Sequence, residues 1–193
     1  MPARLLAFAG SARRESWNKL VLAVAVEGAR SAGAEVTVID LADHPMPLYD
    51  GDLEAADGLP EHAKGLKAEF GRHDGLLLAC PEYNSSITPL LKNTIDWVSR
   101  PVEGEPPLVA FRGKTAGLVA ASPGGLGGLR GLVTVRSILG NIGMVVLPDQ
   151  MAVPKVHEAF DADGNPTDDR IATSLRNVGA ELAKLTARVA SVR

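Results

Sequence analysis

The chain has 193 residues, 46% of them hydrophobic, so it is long enough to bury one sizeable core. Its formal net charge is −3 and its basic residues are scattered, apart from the pair Arg13 and Arg14 and the spacing of Arg130 and Arg136, which argues against a nucleic-acid partner. Glycine, proline and charged residues interrupt every apolar run and the N-terminus lacks the pattern of a secretory signal, so we expect a soluble cytoplasmic protein with no membrane partner and a single domain over residues 1–193.

Five apolar runs of strand length recur along the chain, each followed by polar or glycine-rich residues: Leu5–Ala9, Val36–Ile39, Gly75–Ala79, Ala116–Ala121 and Met144–Leu147. The runs are continuous rather than alternating, which is typical of strands that are covered on both faces. Helix-length patterns lie between them, at Trp17–Arg30, Pro60–Arg72, Pro89–Ser99 and Leu126–Leu139. The alternation of strands and helices predicts a doubly wound α/β fold with a parallel sheet.

The remaining segments complete this fold. A last amphipathic helix is indicated by apolar residues at steps of four and three, namely Ile171, Leu175, Val178, Leu182, Leu185 and Val189. Pro89 directly after Thr88 suits a first helical position behind a capping hydroxyl. The segments His44–Gly58 and Pro101–Gly113 have the proline, glycine and aspartate of surface loops.

Cysteine and histidine offer no metal site. Cys80 is the only cysteine, so the chain has no internal disulfide, and the four histidines show no ligand spacing with it or with one another. We therefore predict that no metal is bound.

The loop after the first strand suits an anion. It reads G-S-A-R-R-E-S-W-N from Gly10 to Asn18, and a helix begins within it. Backbone N–H groups at a helix N-terminus, with hydroxyl, amide and guanidinium groups, suit a phosphate ester. The plainer alternative is that Ser16 only caps the helix while the arginines are solvated. The loop lacks the G-x-G-x-x-G of dinucleotide-binding proteins and the lysine of a P-loop, which disfavours nucleoside triphosphate chemistry.

Three further motifs follow in order. They are P-E-Y-N-x-S at 81–86, L-K-N-x-I-D-W at 91–97 and a glycine-rich stretch from Ser122 to Arg130. Together with G-S-x-R-x-x-S-x-N at 10–18, they make the chain resemble the NADPH-dependent FMN reductase family, which includes quinone, chromate and azo-dye reductases. One departure is that Thr88 and Pro89 stand where family members often carry proline and then glycine.

The resemblance implies a flavodoxin-like fold, with a five-stranded parallel sheet in the order 2-1-3-4-5 and helices on both faces. It implies that the FMN phosphate is held by Ser11, Arg13, Ser16 and Asn18. It also implies that the ribityl chain and the isoalloxazine ring are lined by Pro81, Glu82, Tyr83 and Asn84. A homodimer or homotetramer with the flavin near a subunit interface is implied as well.

Four glycines in five positions, 124–128, allow the backbone to approach a flat ring closely. Because this stretch follows a parallel strand, and because of the resemblance, we expect flavin contact from Ser122, Gly124 and Gly125. Glycine-rich turns also occur without any ligand. Arg130 could reach a cofactor phosphate or a partner subunit.

The L-K-N-x-I-D-W motif predicts a helix with apolar residues at helical spacing. Such residues are more typical of a core or an interface, and we assign them no chemistry.

The expected activity is hydride transfer from NAD(P)H to FMN, followed by electron delivery to a small-molecule acceptor such as a quinone. The cofactor carries this chemistry, so no catalytic acid, base or nucleophile is required of the protein. Two alternatives remain open. One is a flavodoxin-type electron carrier without a nicotinamide site, and the other is a nucleotide-binding or regulatory α/β module without flavin.

Overall fold

The computed structural model describes residues 2–192. Its strands are β1 (Arg4–Ala9), β2 (Glu35–Val38), β3 (Gly75–Ala79), β4 (Glu82–Tyr83), β5 (Ser86–Ile87), β6 (Thr115–Ala121) and β7 (Val145–Val153). All but β4 and β5 form one parallel sheet in the order β2-β1-β3-β6-β7. Numbered within this sheet, that is the order 2-1-3-4-5, so the predicted fold is confirmed.

Helices cover both faces of the sheet. They are α1 (Trp17–Ser31), α2 (Gly51–Asp57), α3 (Glu61–Arg72), α4 (Pro89–Val98), α5 (Leu129–Asn141), α6 (Val156–Ala159) and α7 (Asp169–Ala190), with a turn of 3₁₀ helix at Leu41–Asp43. α1 and α7 pack on one face, and α3, α4 and α5 pack on the other. Within residues 2–192, none of these helices has the length and hydrophobicity needed to cross a bilayer.

The central strands are buried on both faces. Every residue of β3 and β6 is buried, as the continuous apolar runs predicted. The edge strand β2 is more open, and Val38 at its end is 51% exposed. The three strands that lead into the predicted site loops, β1, β3 and β6, are therefore the most buried part of the sheet.

The crossing of α1 and α7 is unusually close. A Cβ atom placed on Gly179 would lie 1.9 Å from the carbonyl oxygen of Ala25, and one on Gly28 would lie 2.0 Å from the carbonyl oxygen of Arg176. Real Cβ atoms do not approach a backbone oxygen so closely, so only glycine fits at either position. These two glycines determine the distance between the helices.

Aromatic rings fill the other face. The ring of Phe70 lies 5.6 Å from that of Phe8 and 5.4 Å from that of Phe111, measured between centroids. Phe111 belongs to the segment predicted as a loop at 101–113, and its burial anchors that segment to the core. Lys67 adds a second anchor, because its Nζ lies 2.7 Å from a carboxylate oxygen of Glu105.

The segment predicted as a loop at 44–58 contains helix α2, so that prediction was wrong for residues 51–57. The helix begins where the side chain of Asp50 accepts a hydrogen bond from the N–H of Asp52, and it ends at Gly58, whose φ is 72°. An aspartate cap and a C-terminal glycine are the ordinary signals of a short helix. Both signals are present in the sequence, and the loop prediction overlooked them.

Two residues of the L-K-N-x-I-D-W motif in α4 bind the segment at 44–58 through hydrogen bonds. The side-chain amide of Asn93 donates to the carbonyl oxygen of Pro47 (2.9 Å) and accepts from the N–H of Tyr49 (2.8 Å). The indole N–H of Trp97 donates to the same carbonyl (2.8 Å), and its ring packs edge-on against that of Tyr49. Trp97 is therefore a core residue, as predicted for this helix, but it also holds a loop in place.

Strand β7 runs six residues beyond the predicted end at Leu147, to Val153. Pro148 lies within it and has no N–H to donate, and the pairing with β6 shifts register between Ala116 and Leu118. Arg136 on α5 compensates by donating to the carbonyl oxygen of Leu147 (2.8 Å). The break in the apolar pattern at Pro148 marked an irregularity in the strand rather than its end.

Cys80 follows β3 and is fully buried. Burial disfavours the thiolate and raises the pKa of this thiol to about 12. Within the described part of the chain, Cys80 is a free thiol that stays protonated at neutral pH.

Candidate functional site

Three loops follow the carboxyl ends of β1, β3 and β6, which are neighbours in the sheet. We call them the phosphate loop (residues 10–18), the hairpin loop (residues 80–88) and the glycine loop (residues 122–128). Parallel strands present their carboxyl ends at one edge, so the loops lie side by side there. All the residues predicted to bind a cofactor lie on these three loops.

The phosphate loop leaves many backbone donors free. Among residues 2–192, the N–H groups of Ser11 and of residues 14–18 find no hydrogen-bond acceptor. The last two of these groups belong to the first turn of α1, a helix of 15 residues. Free N–H groups and the positive end of the helix dipole make this loop a favourable place for an anion.

Ser16 stands at the N-cap position of α1, where a serine side chain normally accepts a hydrogen bond from the helix. It makes no such bond, and across the described residues its hydroxyl has no partner, although Ser16 is only 6% exposed. The oxygen keeps some exposure, because among residues 2–192 every fully buried side-chain polar atom has a hydrogen-bond partner. The hydroxyl is therefore open to a ligand oxygen, and the alternative that Ser16 only caps the helix does not fit the structure.

Ser11 and Arg13 stand near the start of the phosphate loop. The N–H of Arg13 donates to the buried hydroxyl of Ser11 (3.3 Å), and the guanidinium donates to the carbonyl oxygen of Glu15 (2.9 Å). A cavity of about 500 Å³ lies against the loop and is lined by Arg13, Ser16, Trp17 and residues 161–164, among others. Arg13 and Ser16 thus line the same cavity.

The side chain of Asn18 is bonded to a neighbouring loop, while its backbone N–H is one of the free donors of the phosphate loop. Its side-chain NH₂ donates to the carbonyl oxygen of Ala121 (2.9 Å), and its side-chain oxygen accepts from the N–H of the same residue (3.0 Å). Both ends of the amide are therefore occupied by the backbone that leads into the glycine loop. The side chain of Asn18 ties two loops together instead of facing a phosphate.

The hairpin loop carries a tight two-residue turn. β4 and β5 pair as an antiparallel ribbon, and the residues between them, Asn84 and Ser85, have φ values of 51° and 66°. Positive φ at both central positions is the hallmark of a type I′ turn. Pro81 is buried at the base of the ribbon, whereas Tyr83 is 52% exposed and Asn84 is exposed. An aromatic side chain and an amide are thus presented to solvent at the edge of the sheet.

Glu82 joins the ribbon to α5. Its carboxylate accepts from the N–H of Gly131 (3.0 Å) and lies 2.9 Å from the guanidinium of Arg130. Burial alone would raise the pKa of Glu82, but the Gly131 donor and the Arg130 charge outweigh it and hold the pKa below its usual value. The carboxylate predicted to line the flavin is engaged by protein groups, and Arg130 pairs with it.

This pairing predicts an acid-sensitive contribution to stability. Because the pKa of Glu82 is lower in the folded chain than in the unfolded one, its stabilisation is present above the unfolded pKa of about 4.3 and is lost as pH falls through the folded value. We expect Glu82→Gln to lower the urea midpoint at pH 7 and to approach the wild type near pH 3. Glu61→Gln is the control, since the Glu61 side chain is 90% exposed. A Glu82→Gln deficit that is equally large at both pH values would contradict this account.

The glycine loop divides into two halves. A Cβ atom on Gly127 would lie 2.5 Å from the carbonyl carbon of Val153, and one on Gly128 would lie 2.8 Å from the Cβ of Ala120. Their φ values of 62° and 94° also require glycine, which explains why α5 begins at Leu129 and not at the predicted Leu126. By contrast, a Cβ on Gly125 would meet nothing within 4 Å.

Gly124 and Gly125 therefore leave a space that the fold does not use. On Gly124, an added Cβ would meet only the Ser122 hydroxyl, at 3.6 Å. The two glycines have negative φ or extended backbone, so side chains are allowed there. The open space beside them has the form expected where a flat ring approaches the backbone.

The two halves give a matched pair of variants. Gly125→Ala should change the free energy of unfolding by less than about 0.5 kcal/mol and weaken FMN binding, because its methyl group occupies the open space. Gly127→Ala should destabilise the fold by about 1–3 kcal/mol, because its Cβ overlaps backbone. Urea denaturation and flavin titration separate the two effects. Normal FMN affinity in Gly125→Ala would remove this half of the loop from the site.

Thr88 lies at the junction of the phosphate loop and the hairpin loop and was not among the residues predicted for the site. Its hydroxyl donates to the carbonyl oxygen of Gly10 (2.7 Å) and accepts from the N–H of Leu91 (3.2 Å), and Thr88 is only 2% exposed. One signal for it is present in the sequence, since threonine stands here where the family often has proline. The sequence pattern predicts only a helix cap at this position.

A parallel sheet with its loops clustered at the switch in strand order, and a phosphate loop rich in free donors, defines an α/β protein of the flavodoxin type. The chain can then be assigned more closely. Residues 3–158 match the family described as NADPH-dependent FMN reductase, and the chain belongs to that family.

Similar proteins agree with this assignment. The chain is 34% identical over 168 residues to an NAD(P)H-dependent FMN reductase of Pseudomonas aeruginosa, covering 86% of each protein. It is 31% identical over 191 residues to a probable NADPH:quinone oxidoreductase of Oryza sativa subsp. japonica, covering 96% of this chain and 90% of the rice protein. The solved structure of FerB, a flavoenzyme NAD(P)H:(acceptor) oxidoreductase from Paracoccus denitrificans, superposes with a TM-score of 0.80 at 28% identity, over 96% and 98% of the two chains.

Proposed function

We propose that this protein is an NAD(P)H-dependent FMN reductase that passes electrons on to a quinone or a similar small acceptor. The observation that carries the proposal is the set of free donors in the phosphate loop, where the N–H groups of Ser11 and of residues 14–18 and the hydroxyl of the largely buried Ser16 have no partner in the described residues. Membership of the FMN reductase family supplies the cofactor that fits such a loop. When bound, FMN supplies hydride acceptance and electron transfer, and the protein contributes binding and orientation.

The residues divide into two groups in this proposal. Ligand groups come from the phosphate loop, the hairpin loop and the glycine loop: Ser11, Arg13, Ser16, Pro81, Tyr83, Asn84, Ser122, Gly124 and Gly125. The side chains of Asn18 and Glu82 support these groups from behind, because they are hydrogen-bonded to backbone of neighbouring elements, while the backbone N–H of Asn18 remains free for the phosphate. The exposed ring of Tyr83 offers an apolar surface for a planar group, and the amide of Asn84 offers a donor and an acceptor at its edge.

The proposal includes a homodimer or homotetramer. Tyr83, Leu126, Leu129 and Val133 are between 43% and 62% exposed, and the last two lie four residues apart on α5. Apolar side chains exposed in one region favour contact with another protein surface, and a second copy there would cover the open side of the site. Light scattering that finds only monomer would contradict the proposed oligomer.

We also propose a cytoplasmic protein in which residues 1–193 form a single domain.

The spectrum of the purified protein with FMN tests the function directly. Recorded anaerobically, a bound-flavin spectrum should bleach on addition of NADPH or NADH and recover on addition of a quinone. Bound flavin that neither nicotinamide reduces would favour the electron carrier. No flavin binding would contradict the proposal and favour an α/β module without flavin.

A further inference from the structure

The phosphate loop is held at both ends by buried side chains that belong to other loops or reach into them. At its start, both backbone groups of Gly10 are occupied, the N–H by the carbonyl oxygen of Ala79 (2.8 Å) and the carbonyl by the hydroxyl of Thr88 (2.7 Å). At its end, the amide of Asn18 is bonded twice to Ala121. The conformation of the residues between these two points is therefore determined from outside the loop.

The bond from Thr88 determines where one particular donor points. The peptide that joins Gly10 to Ser11 is trans, like every other peptide bond in residues 2–192, so its C=O and N–H groups point in opposite directions. Because Thr88 draws the carbonyl of Gly10 toward α4, the N–H of Ser11 points away from α4. That N–H finds no acceptor in the described residues.

Close packing leaves Gly10 little freedom to take another orientation. A Cβ atom on Gly10 would lie 2.9 Å from the Cβ of Leu91, in the first turn of α4. The phosphate loop thus rests directly on the helix that Thr88 caps. The hydroxyl of Thr88 joins the two elements, since it caps α4 and holds the carbonyl of Gly10.

We propose that Thr88 is a positioning residue for the cofactor phosphate. It touches no cofactor atom, and it acts by fixing the carbonyl of Gly10 so that the N–H of Ser11 is aimed at the phosphate. The proposal rests on the proposed function, since it assumes that FMN binds at the phosphate loop. It assigns to Thr88, a residue outside the predicted site, part of the preference for a phosphorylated flavin.

The test compares FMN with riboflavin, which lacks the phosphate. Thr88→Val removes the hydroxyl at nearly constant shape, and we expect it to weaken FMN binding roughly tenfold, the size of one ordinary hydrogen bond, while riboflavin binding changes by less than about twofold. Thr88→Ser keeps the hydroxyl and should restore the FMN affinity. Dissociation constants come from the quenching of flavin fluorescence, well below the melting temperature of each apoprotein.

Two further variants separate positioning from stability. Thr88→Gly also lacks the hydroxyl, but glycine is tolerated at an N-cap, so it should lose FMN affinity even if Thr88→Val folds poorly. Val178→Ala destabilises the core on α7, where Val178 is 4% exposed, and should leave FMN affinity unchanged.

The outcomes are distinct. A loss specific to FMN in Thr88→Val and Thr88→Gly, restored in Thr88→Ser, supports the proposal. Equal losses for FMN and riboflavin, or wild-type FMN affinity in the variants without the hydroxyl, would overturn it while leaving the reductase function intact. Failure of the wild type to bind FMN would overturn both.

Discussion

Gly179→Ala is expected to destabilise the fold by about 3 kcal/mol or more, at the upper end of the cost of overpacking a core. Alanine is the better helix former by about 1 kcal/mol, so propensity alone would predict a more stable protein. The steric term is larger, because the new Cβ would lie 1.9 Å from the carbonyl oxygen of Ala25 and 2.8 Å from the backbone nitrogen of Ala29. Both contacts are with backbone, so no side-chain rotation relieves them.

Urea denaturation followed by far-ultraviolet circular dichroism measures this effect. Gly28→Ala should behave similarly, since its Cβ would meet the backbone of Arg176. The matched control is Gly65→Ala in α3, where an added Cβ meets nothing within 4 Å and should stabilise the helix by about 0.5–1 kcal/mol. If Gly179→Ala and Gly65→Ala shifted the midpoint in the same direction, the close crossing of α1 and α7 would be wrong.

Arg13→Ala is expected to weaken FMN binding by about 1.5–3 kcal/mol, which is roughly 10- to 150-fold, because it removes a charge-assisted hydrogen bond to the phosphate. The guanidinium is exposed and its bond to the carbonyl oxygen of Glu15 is local, so the stability of the apoprotein should change little. Titration of FMN against the apoprotein, monitored by flavin fluorescence, measures the loss. Riboflavin binding should be nearly unaffected.

Arg188→Ala controls for the change in net charge, since Arg188 is an exposed arginine near the end of α7. It should bind FMN as the wild type does. Increasing the salt concentration should reduce the difference between Arg13→Ala and the wild type, because exposed charges are screened. Unchanged FMN affinity in Arg13→Ala would take this residue out of the proposed site.

The sheet was predictable because burial on both faces leaves a simple trace in the sequence. β1, β3 and β6 are continuous apolar runs, and each is found within a residue of where the pattern predicted it. The strand order itself came from the resemblance. The errors fall where local exceptions interrupt the pattern, such as Pro148 inside β7 and the short helix at Gly51–Asp57.

The position of the three loops was predictable, but the partner of each side chain in them was less so. A motif such as G-S-x-R-x-x-S-x-N marks a polar loop, yet it does not say whether an amide faces the ligand or the protein. The side chains of Asn18 and Glu82 bond to backbone, whereas the hydroxyl of Ser16 has no partner in the described residues. The hydrogen-bond partners of Asn18 and Glu82 lie more than 45 positions away, at Ala121 and Gly131, so no local sequence pattern contains them.

The buried thiol at the end of β3 has a practical consequence for following this protein in solution. Cys80 is the only cysteine in the sequence, it is inaccessible, and its pKa of about 12 leaves almost no thiolate at neutral pH. A cysteine introduced on the surface would therefore be the single group that a maleimide dye modifies in the native protein, without first removing Cys80. Placed at the exposed Val133 of α5, such a dye would report by its fluorescence whether a second copy covers that helix.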